Sequence, residues 1–355
     1  MQEMLDLYSD YLLASFGATT ATGLSKLLDG HGSHDQVTRY WSGRKQPSAD
    51  LWRRVKPLVR RIQSSTGVLI IDDSIAEKPY TDQNAIGCWH YDQSNDQQVK
   101  GINFMTALYH SQEVSLPVGF HLIAKTECYL DKKTQQHKRR SPTTKNEYCR
   151  ALVQQAVDNQ LPFHLVLFDA WFACAETMMF LKHEVNKEFI GPLKTNRKVA
   201  LRAEDKRQGC FVRVDTLALA EQAVRESYLA GVAFPLLLGK QLVTNEDGST
   251  SLLDLVCSDT TVRFDEITTS YQKRWRVEEY HTSLKQNVSL AKSPTPTETT
   301  QTNHFVAALC GFIKLEMLKM ETRQNHFALK SKLYLKALHS AFTTLRELKP
   351  VQFAA

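Results

Sequence analysis

Three segments of the chain carry carboxylates in contexts that suggest shared chemistry. The run VLIIDDS places Asp72 and Asp73 after a buried, β-branched stretch, and HLVLFDAWF places Asp169 after another. Glu278 lies in YQKRWRVEEYHTSLKQ, among arginines, lysines and aromatics. Acids at the ends of buried strands are costly unless they are hydrogen-bonded, paired or bound to a cation. The pattern indicates either acids that cap helices or ligands of a metal ion.

The helix predicted around Glu278 has a polar face that combines this acid with cations. At 100° per residue, this face spans an arc of about 60°, and it consists of Tyr271, Arg274, Glu278 and Lys285. Glu279 lies outside the arc. Glu278 is therefore the acid that shares a face with the arginine and the lysine.

Acids from two strands and one helix suit two-metal phosphoryl chemistry. Mg²⁺ binds a few carboxylate oxygens and keeps positions for water and phosphate. Two such ions, about 3.5 to 4 Å apart, activate the attacking oxygen and stabilise the leaving one. We expect two Mg²⁺ ions, which Mn²⁺ can replace, held by Asp169, Glu278 and one of the adjacent aspartates. Arg274 and Lys285 then contact phosphates, and Tyr271 can donate a hydrogen bond to one.

The segments that carry these acids alternate between predicted strands and helices. STGVLIIDDS, GINFMTALYHS and SLPVGFHLIAK predict three successive strands, and NEYCRALVQQAVDNQ predicts a helix. LPFHLVLFDAWF, CAETMMFLKHEV and EFIGPLKT then predict a strand, a helix and a further strand. The order βββαβα(β) is that of the ribonuclease-H-like fold. We therefore expect an α/β protein with a mixed sheet flanked by helices.

The remaining sequence predicts three further regions. Residues 1–65 predict helices, and TATGLSKLLDGHGSHDQVTRYWSG is typical of two short helices joined by a glycine-bearing turn. A helix-turn-helix DNA-binding module has this pattern, and a plain helical bundle explains the helices equally well. Residues 196–266 predict a β-rich insertion without helices, so the catalytic domain comprises 66–195 and 267–300. A proline- and threonine-rich linker, AKSPTPTETTQTNH, precedes a C-terminal helical region at 301–355.

Composition and charge favour a DNA partner. The net charge is +6, and eight lysines and arginines lie between Arg39 and Arg61 against one acid. Two more basic clusters extend from Lys132 to Lys145 and from Lys194 to Arg213. Separate basic clusters favour an extended polyanion, although solvated basic loops explain any single cluster. The further predicted phosphate contacts lie in the first basic cluster and in the polar helix. They are Arg44, Lys45, Lys273 and Arg276.

The bulk sequence is that of a globular protein of two or three structural units. It has 355 residues, of which 42% are hydrophobic and 23% charged. No apolar run approaches the roughly 18 residues that a membrane span needs, and the N-terminus is acidic where a signal peptide is basic. The seven cysteines lack CxxC pairing, which suits reduced thiols. We therefore expect a cytoplasmic location and no membrane partner.

The spacing of the polar helix resembles a family signature. Tyr271, two residues, Arg274, three residues, Glu278, six residues and Lys285 resemble the Y-R-E-K signature of cut-and-paste DDE transposases of bacterial insertion sequences.

The two aspartate contexts are also similar to those of this family. Its first acid stands in a D-x-Ser/Thr context, which favours Asp72 over Asp73 and leaves Asp73 as the alternative. Its second acid precedes a small residue and an aromatic one, as Asp169 does in DAWF. The resemblance implies Asp72, Asp169 and Glu278 as the catalytic triad, with the β-rich insertion between the last two.

The resemblance also implies a reaction and its partners. Members of the family bind the terminal inverted repeats of their element and pair the two ends as a homodimer in a synaptic complex. They hydrolyse a strand at each end and join the freed 3′-OH to target DNA, often after a DNA hairpin.

Three other functions fit part of the pattern. A stand-alone metal-dependent nuclease uses the same acids, and a non-catalytic DNA-binding protein derived from a transposase has the same layout but needs none of them. A glycoside hydrolase also uses paired carboxylates. The lysines and arginines around Glu278 argue against it, because cations lower the pKa of a general acid.

Overall fold

The computed structural model describes residues 2–29, 32–92, 96–132, 135–220, 222–244 and 248–348. The chain is a mixed α/β protein that divides into two compact units. Unit 1 comprises residues 1–46, 76–87 and 280–355, and unit 2 comprises residues 47–75 and 88–279. Within the described part of the chain, each helix is too short or too polar to cross a lipid bilayer.

The described helices lie mainly at the two ends of the chain. They are α1 Gln2–Ala14, α2 Ala21–Leu27, α3 His34–Ser42, α4 Ser48–Ile62, α5 Lys145–Asp158, α6 Ala175–Met179, α7 Ala203–Arg207, α8 Phe264–Gln272, α9 Trp275–Gln286, α10 Glu298–Thr322 and α11 His326–Glu347. A π-helical turn, Phe180–Glu184, continues α6, and a 3₁₀ turn spans Val214–Thr216.

The strands occupy the middle of the chain. They are β1 Val68–Glu77, β2 Gly87–Asp92, β3 Gln97–Ser111, β4 Val114–Leu122, β5 Glu127–Leu130, β6 His137–Arg140, β7 Leu165–Leu167, β8 Glu188–Pro192, β9 Lys198–Ala200, β10 Val212–Arg213, β11 Val224–Leu229, β12 Leu236–Thr244 and β13 Thr250–Cys257.

One large mixed sheet forms the centre of unit 2. Its order is β10-β9-β11-β12-β13-β8-β7-β1-β3-β2, with β4 also paired to β3. The centre is parallel: β1 pairs with β7, where Val68 lies opposite Leu165, and β7 pairs with β8. The flanking pairs from β8 to β10, and the β3–β4 pair, are antiparallel. A separate two-stranded sheet joins β5 and β6.

The central strands form because their residues are β-branched or bulky and buried on both faces. Val68 to Ile71 in β1 and all three residues of β7 are buried, as expected for parallel strands covered by helices. Helices α4 and α5 supply the cover by packing on β4, and α5 also packs on β3. A capping box begins α5, in which Thr144 and Glu147 satisfy each other's backbone N–H groups. The predicted strands and helices of this region are present in the predicted order, but the structure adds three strands, β2, β5 and β6, that the sequence did not predict.

The predicted β-rich insertion contains β9 to β13. Its strands extend the central sheet, because β13 pairs with β8 through Cys257 and Ile190. The expectation of no helix there is wrong for α7, whose first turn has Glu204 and whose last turn has Arg207. Both charges stabilise the helix dipole, so a single turn forms between strands. The domain boundaries drawn from the sequence stay a prediction.

Unit 1 is mainly helical, and its largely hydrophobic core also buries polar groups such as His304. Helix α1 packs against α10, where the Tyr8 hydroxyl lies 2.7 Å from Nδ1 of His304. The two short helices predicted in the N-terminal region are α2 and α3, while the centre of their turn, residues 30 and 31, lies outside the described residues. The linker prediction is wrong from Glu298 onward, because Thr297 accepts a hydrogen bond from Thr300 N–H and begins α10.

Candidate active site

Strands β1 and β7 carry two of the predicted acids to the same edge of the sheet. Asp72 follows the paired residue Ile70 by two positions, and Asp169 follows the end of β7 by two. The two strands are parallel neighbours, so their carboxyl ends meet at one edge. The sequence predicted that β1 ends at Asp72, which is wrong, because the strand continues to Glu77. Strand β3 lies on the other side of β1 and supplies backbone partners beyond the end of β7.

The residue before Asp169 is fixed by a close contact with the next strand. Phe168 is fully buried, and its ring lies over Gly191 in β8. A Cβ atom at Gly191 would lie 2.3 Å from Cε2 of Phe168, so only glycine leaves room for the ring. This contact holds the backbone immediately before the acid.

Glu278 lies in the first turn of α9, after a break in the predicted helix. The sequence predicted one helix from 271 to 286, which is wrong, because α8 ends at Gln272 and α9 begins at Trp275. Between them the backbone forms tighter bonds: Arg274 N–H donates to the Tyr271 carbonyl at 2.8 Å, and Val277 N–H donates to the Arg274 carbonyl at 3.0 Å. These bonds span three residues instead of four, so an arc drawn at 100° per residue does not apply across the break.

Arg274 bridges two of the acids. One guanidinium nitrogen lies 3.3 Å from Oδ2 of Asp72, and the other lies 3.3 Å from Oε1 of Glu278. The two carboxylates approach each other to within 4.8 Å. The structure therefore brings together a strand acid and a helix acid that are more than 200 residues apart in the chain.

Asp169 belongs to the same electrostatic cluster. Burial raises the pKa of Asp72 well above its ordinary value, the charge of Asp169 raises it further, and Arg274 lowers it. Burial also raises the pKa of Asp169, as does the charge of Asp73, while the N–H of Trp171 opposes the shift by donating to Oδ1 of Asp169 at 2.9 Å. Asp169 is thus both a local backbone cap and a member of the cluster.

The acid cluster, defined as Asp72, Asp169 and Glu278 with Arg274, has more acids than cations. Three carboxylates face one guanidinium, so the ionised cluster carries an excess of two negative charges. Its donors are hard oxygen atoms, which match Mg²⁺ and Mn²⁺. Burial is the main cause of the raised pKa of Asp72 and of Asp169, and the charges of neighbouring acids add to it. The cluster therefore fits a bound divalent cation.

Asp73 differs from its neighbour because it has its own cation. Oδ2 of Asp73 lies 2.7 Å from Nζ of Lys145 and 3.1 Å from the amide nitrogen of Asn103. Consecutive side chains of a strand point to opposite faces, so the two aspartates meet different partners. No local pattern in the sequence indicates either partner, because Lys145 is 72 residues away and Asn103 is 30 residues away.

Tyr271 lies behind Arg274. The tyrosine is 8% exposed, and its ring centroid is 5.8 Å from the guanidinium carbon of Arg274. Burial raises the pKa of Tyr271 to about 12, so the phenol stays protonated at neutral pH. This position supports the arginine more directly than it offers a hydrogen bond to a phosphate.

The other predicted phosphate contacts lie in different surroundings. Arg276 pairs with Glu279 at 3.0 Å and with Glu113, and Lys273 is half-buried in the turn between α8 and α9. The remaining three belong to unit 1 and are exposed, and one of them, Lys45, pairs with Glu298. These three are Arg44, Lys45 and Lys285.

Comparison with known proteins identifies the family of the chain. A family model described as "DDE superfamily endonuclease" matches residues 1–209, a range that contains Asp72 and Asp169 and ends before Glu278. No curated protein matches the chain. Among solved structures, endonuclease V from Bacillus subtilis matches with 12% identity over 80% of this chain and 95% of that chain. Its TM-score of 0.24 is too low to carry any argument. Because the family match covers more than half of its residues, the chain belongs to the DDE superfamily endonucleases.

Proposed function

We propose that the protein is a DNA transposase of the cut-and-paste type. It binds the terminal inverted repeats of its element and catalyses strand cleavage and strand transfer by two-metal phosphoryl transfer. The observation that carries this proposal is the position of Arg274 between Asp72 and Glu278, with the charge of Asp169 acting on Asp72, all within unit 2. The Y-R-E-K spacing and the family membership support it.

The fold supports the same proposal. With β2, β5 and β6 as additional strands, the elements β1, β3, β4, α5, β7, α6 and β8 have the order of a ribonuclease-H-like domain, and β1, β7 and β8 are adjacent and parallel. That order leaves the first two acids on neighbouring strands. A helix that follows a long β-rich segment supplies the third.

The acids and their neighbours have separate roles in the proposed reaction. Asp72, Asp169 and Glu278 hold the divalent cations through their carboxylate oxygens. When bound, the cations supply Lewis-acid activation of the attacking oxygen and stabilise the leaving oxygen. Arg274, which spans two of the acids, is placed to contact a phosphate that meets the cluster, because guanidinium binds phosphate in a bidentate manner. Tyr271 packs against Arg274 and limits its motion.

The basic residues outside the cluster bind DNA in this proposal. Helices α2 and α3 form the DNA-binding module, with Arg44 and Lys45 beside it, and Lys285, Arg276 and Lys273 contact phosphates of the bound end. Pairing of the two element ends requires a homodimer in the synaptic complex. Each neutralised phosphate releases counterions, so binding weakens as salt is added.

A stand-alone nuclease is the second candidate. The family description names an endonuclease, and hydrolysis requires the same acids as strand transfer. Joining separates the two candidates, because a nuclease leaves the cut 3′-OH unused. A non-catalytic DNA-binding protein is less well supported, since it has no need of buried acids that raise each other's pKa.

A cleavage and joining assay tests the proposal. Labelled duplexes that carry the DNA bracketing the gene are incubated with the protein and Mg²⁺, with and without a second duplex as target. Wild type cuts at the element end and joins the 3′ end to the target. Asp72→Asn, Asp169→Asn and Glu278→Gln each lower cleavage about a thousandfold or more.

Glu279→Gln is the matched control, because this acid is the immediate neighbour of Glu278 and pairs with Arg276 instead. It keeps most of the activity. Cleavage that survives in the three acid variants refutes the site. Cleavage by wild type that never leads to joining refutes the transposase and favours the nuclease.

A further inference from the structure

Lys145 lies at the start of α5, where the helix itself does not explain its charge. The N–H groups of a first helical turn carry partial positive charge, so a cation there is locally unfavourable. Lys145 is the first residue of α5, directly after the capping residue Thr144. Its side chain is only 27% exposed, so the ammonium is also partly removed from water. The reason for a lysine at this position therefore lies in its contacts.

The first contact joins Lys145 to strand β1. Nζ of Lys145 lies 2.7 Å from Oδ2 of Asp73, and the side-chain amide of Asn103 in β3 donates to the same oxygen at 3.1 Å. Asp73 follows Asp72 directly, so these bonds hold the backbone that carries the first acid of the cluster. Helix α5 packs on β3, so the lysine approaches Asp73 from a fixed support.

The second contact joins Lys145 to the segment that follows β7. Its Nζ lies 5.6 Å from the centroid of the Trp171 indole, which is within the range of a cation–π interaction. The backbone N–H of Trp171 donates to Oδ1 of Asp169 at 2.9 Å. Lys145 thus contacts the residue whose backbone holds the second acid.

The sheet alone does not set the separation of these two acids. The pairing of β1 with β7 ends where Ile70 lies opposite Leu167, and each acid follows this last pair by two residues. Beyond the last pair, the separation of the two chain segments depends on side-chain contacts. Lys145 supplies such contacts to both segments.

We propose that Lys145 is a positioning residue of the acid cluster. By binding Asp73 and the ring of Trp171 at once, it fixes the two acid-bearing segments relative to each other. The carboxylates of Asp72 and Asp169 then have the separation that a divalent cation requires. The inference rests on the proposed function for one point, the binding of cations by these acids.

The affinity of the full-length protein for Mn²⁺, measured by calorimetry without DNA, tests this role without requiring catalysis. Lys145→Met removes the ammonium and keeps most of the length of the side chain. Loss of a group that orients metal ligands weakens metal binding, and we expect a loss of about tenfold. Charge alone predicts the opposite, because removal of a nearby cation strengthens the attraction of the acids for Mn²⁺. The sign of the change therefore separates positioning from electrostatics.

Two further variants examine the two contacts. Lys145→Arg keeps a cation that binds carboxylates and stacks on aromatic rings, so its affinity stays within about threefold of wild type. Trp171→Leu removes the ring and keeps the backbone N–H that donates to Asp169, and it weakens Mn²⁺ binding by about threefold. Combined with Lys145→Met, it causes no further loss, because both changes break the same bridge.

Two other lysines of unit 2 are matched controls. Lys182 pairs with Glu188 at 2.5 Å, and its side chain is 28% exposed, close to the value for Lys145. Glu188 is the first residue of β8, so this pair lies at the opposite end of the parallel strands from the acids. Lys194 is exposed and lies 4.6 Å from the centroid of the Trp171 indole. Lys182→Met and Lys194→Met leave the Mn²⁺ affinity unchanged.

The outcomes separate this inference from the proposed function. An unchanged or tighter affinity in Lys145→Met, or an equal loss in Lys145→Arg, overturns the positioning role. Trp171→Leu with the affinity of wild type overturns it as well, and this variant decides the matter if Lys145→Met does not fold. Wild type that binds no Mn²⁺ overturns both proposals. Wild type that shows Lys145-dependent Mn²⁺ binding but never cuts DNA refutes the proposed catalysis alone.

Discussion

Each of the two units of the molecule buries a carboxylate, and the two carboxylates differ in their basic partners. In unit 1, Glu316 is 3% exposed and lies 3.1 Å from Nε2 of His326 and 3.1 Å from Nζ of Lys319. In unit 2, Asp72 is 8% exposed and shares Arg274 with Glu278 at 3.3 Å each, close to the charge of Asp169. Glu316 thus has two basic partners, whereas the three acids of the acid cluster share one, Arg274.

This difference separates a structural acid from a functional one. A buried charge with close basic partners is compensated in part for the water it has lost, and removing one member of such a pair is strongly destabilising. A buried cluster with excess charge costs stability unless a further ion binds. We infer that the acid cluster lowers the stability of the metal-free protein and that bound cations restore it. We also infer that Glu316 contributes to the stability of unit 1.

The largest expected effect on stability comes from removing the shared cation. Arg274→Gln leaves three carboxylates without a guanidinium and lowers the free energy of unfolding of the metal-free protein by about 3 kcal/mol. Chemical denaturation in EDTA and in Mg²⁺ measures the change, and Mg²⁺ restores much of the loss because it replaces the missing charge. A variant as stable as wild type in EDTA contradicts the charge imbalance.

The corresponding change in unit 1 lowers the stability in a way that added metal does not reverse. Glu316→Gln keeps the shape of the side chain and removes the charge that faces His326 and Lys319. We expect the free energy of unfolding to fall by about 2 kcal/mol, equally in EDTA and in Mg²⁺. If Mg²⁺ were to rescue this variant as it rescues Arg274→Gln, the contrast between the two acids would fail.

The free energy of unfolding is expected to rise, not fall, when an acid of the cluster is neutralised. Asp72→Asn relieves the repulsion from Asp169 and raises the free energy of unfolding of the metal-free protein by about 1 kcal/mol. The adjacent change Asp73→Asn breaks a pair with Lys145 and is expected to destabilise. The two variants differ by one position in the strand, so denaturation curves in EDTA compare them directly. Destabilisation by both would show that Asp72 is also a structural acid.

The smallest expected effect is a slope of stability with pH. Burial and like charges raise the pKa of Asp72 and Asp169 in the folded state, so the folded protein binds protons more tightly than the unfolded chain. The stability that this proton binding supplies is fully present below about pH 4, the ordinary aspartate range. It is lost as pH rises through the raised pKa values.

A group in unit 1 contributes the opposite slope. Burial lowers the pKa of His304 to about 3, so its contribution is present above about pH 6.5 and is lost as pH falls. The contribution of His304 is the same in wild type and in Asp72→Asn. The difference between their free energies of unfolding in EDTA therefore contains only the contribution of Asp72. This difference is expected to grow in favour of the variant as pH rises from 4, and a difference that is flat with pH contradicts the assigned shift.

The sequence was sufficient for the local features of the site. Buried β-branched runs predicted β1 and β7, and they placed Asp72, Asp73 and Asp169 after these runs, because these signals depend only on neighbouring residues. The choice of Asp72 over Asp73 came from the family resemblance. Glu278 and Glu279 have different partners, Arg274 and Arg276, although the arc that separated them in the sequence does not apply across the break between α8 and α9.

Features that depend on distant contacts could not be predicted in this way. The partners of Asp73 come from α5 and β3, and no local pattern connects them to the strand. No proline or glycine lies at the break between α8 and α9, so the sequence contains no local signal for it. Trp171 is exposed next to the buried Phe172 and lies near two lysines from separate segments, and no local pattern in the sequence indicates these surroundings.

The central claim is that the acid cluster binds a divalent cation which compensates its excess charge. The most direct test is the melting temperature of wild type, Asp72→Asn and Glu316→Gln as Mg²⁺ or Mn²⁺ is added after EDTA treatment. Binding at 100 times the dissociation constant stabilises a protein by about 2.7 kcal/mol. We predict that the melting temperature of wild type and of Glu316→Gln rises by several degrees, while that of Asp72→Asn hardly changes. An equal rise in Asp72→Asn, or no rise in wild type, would contradict the account.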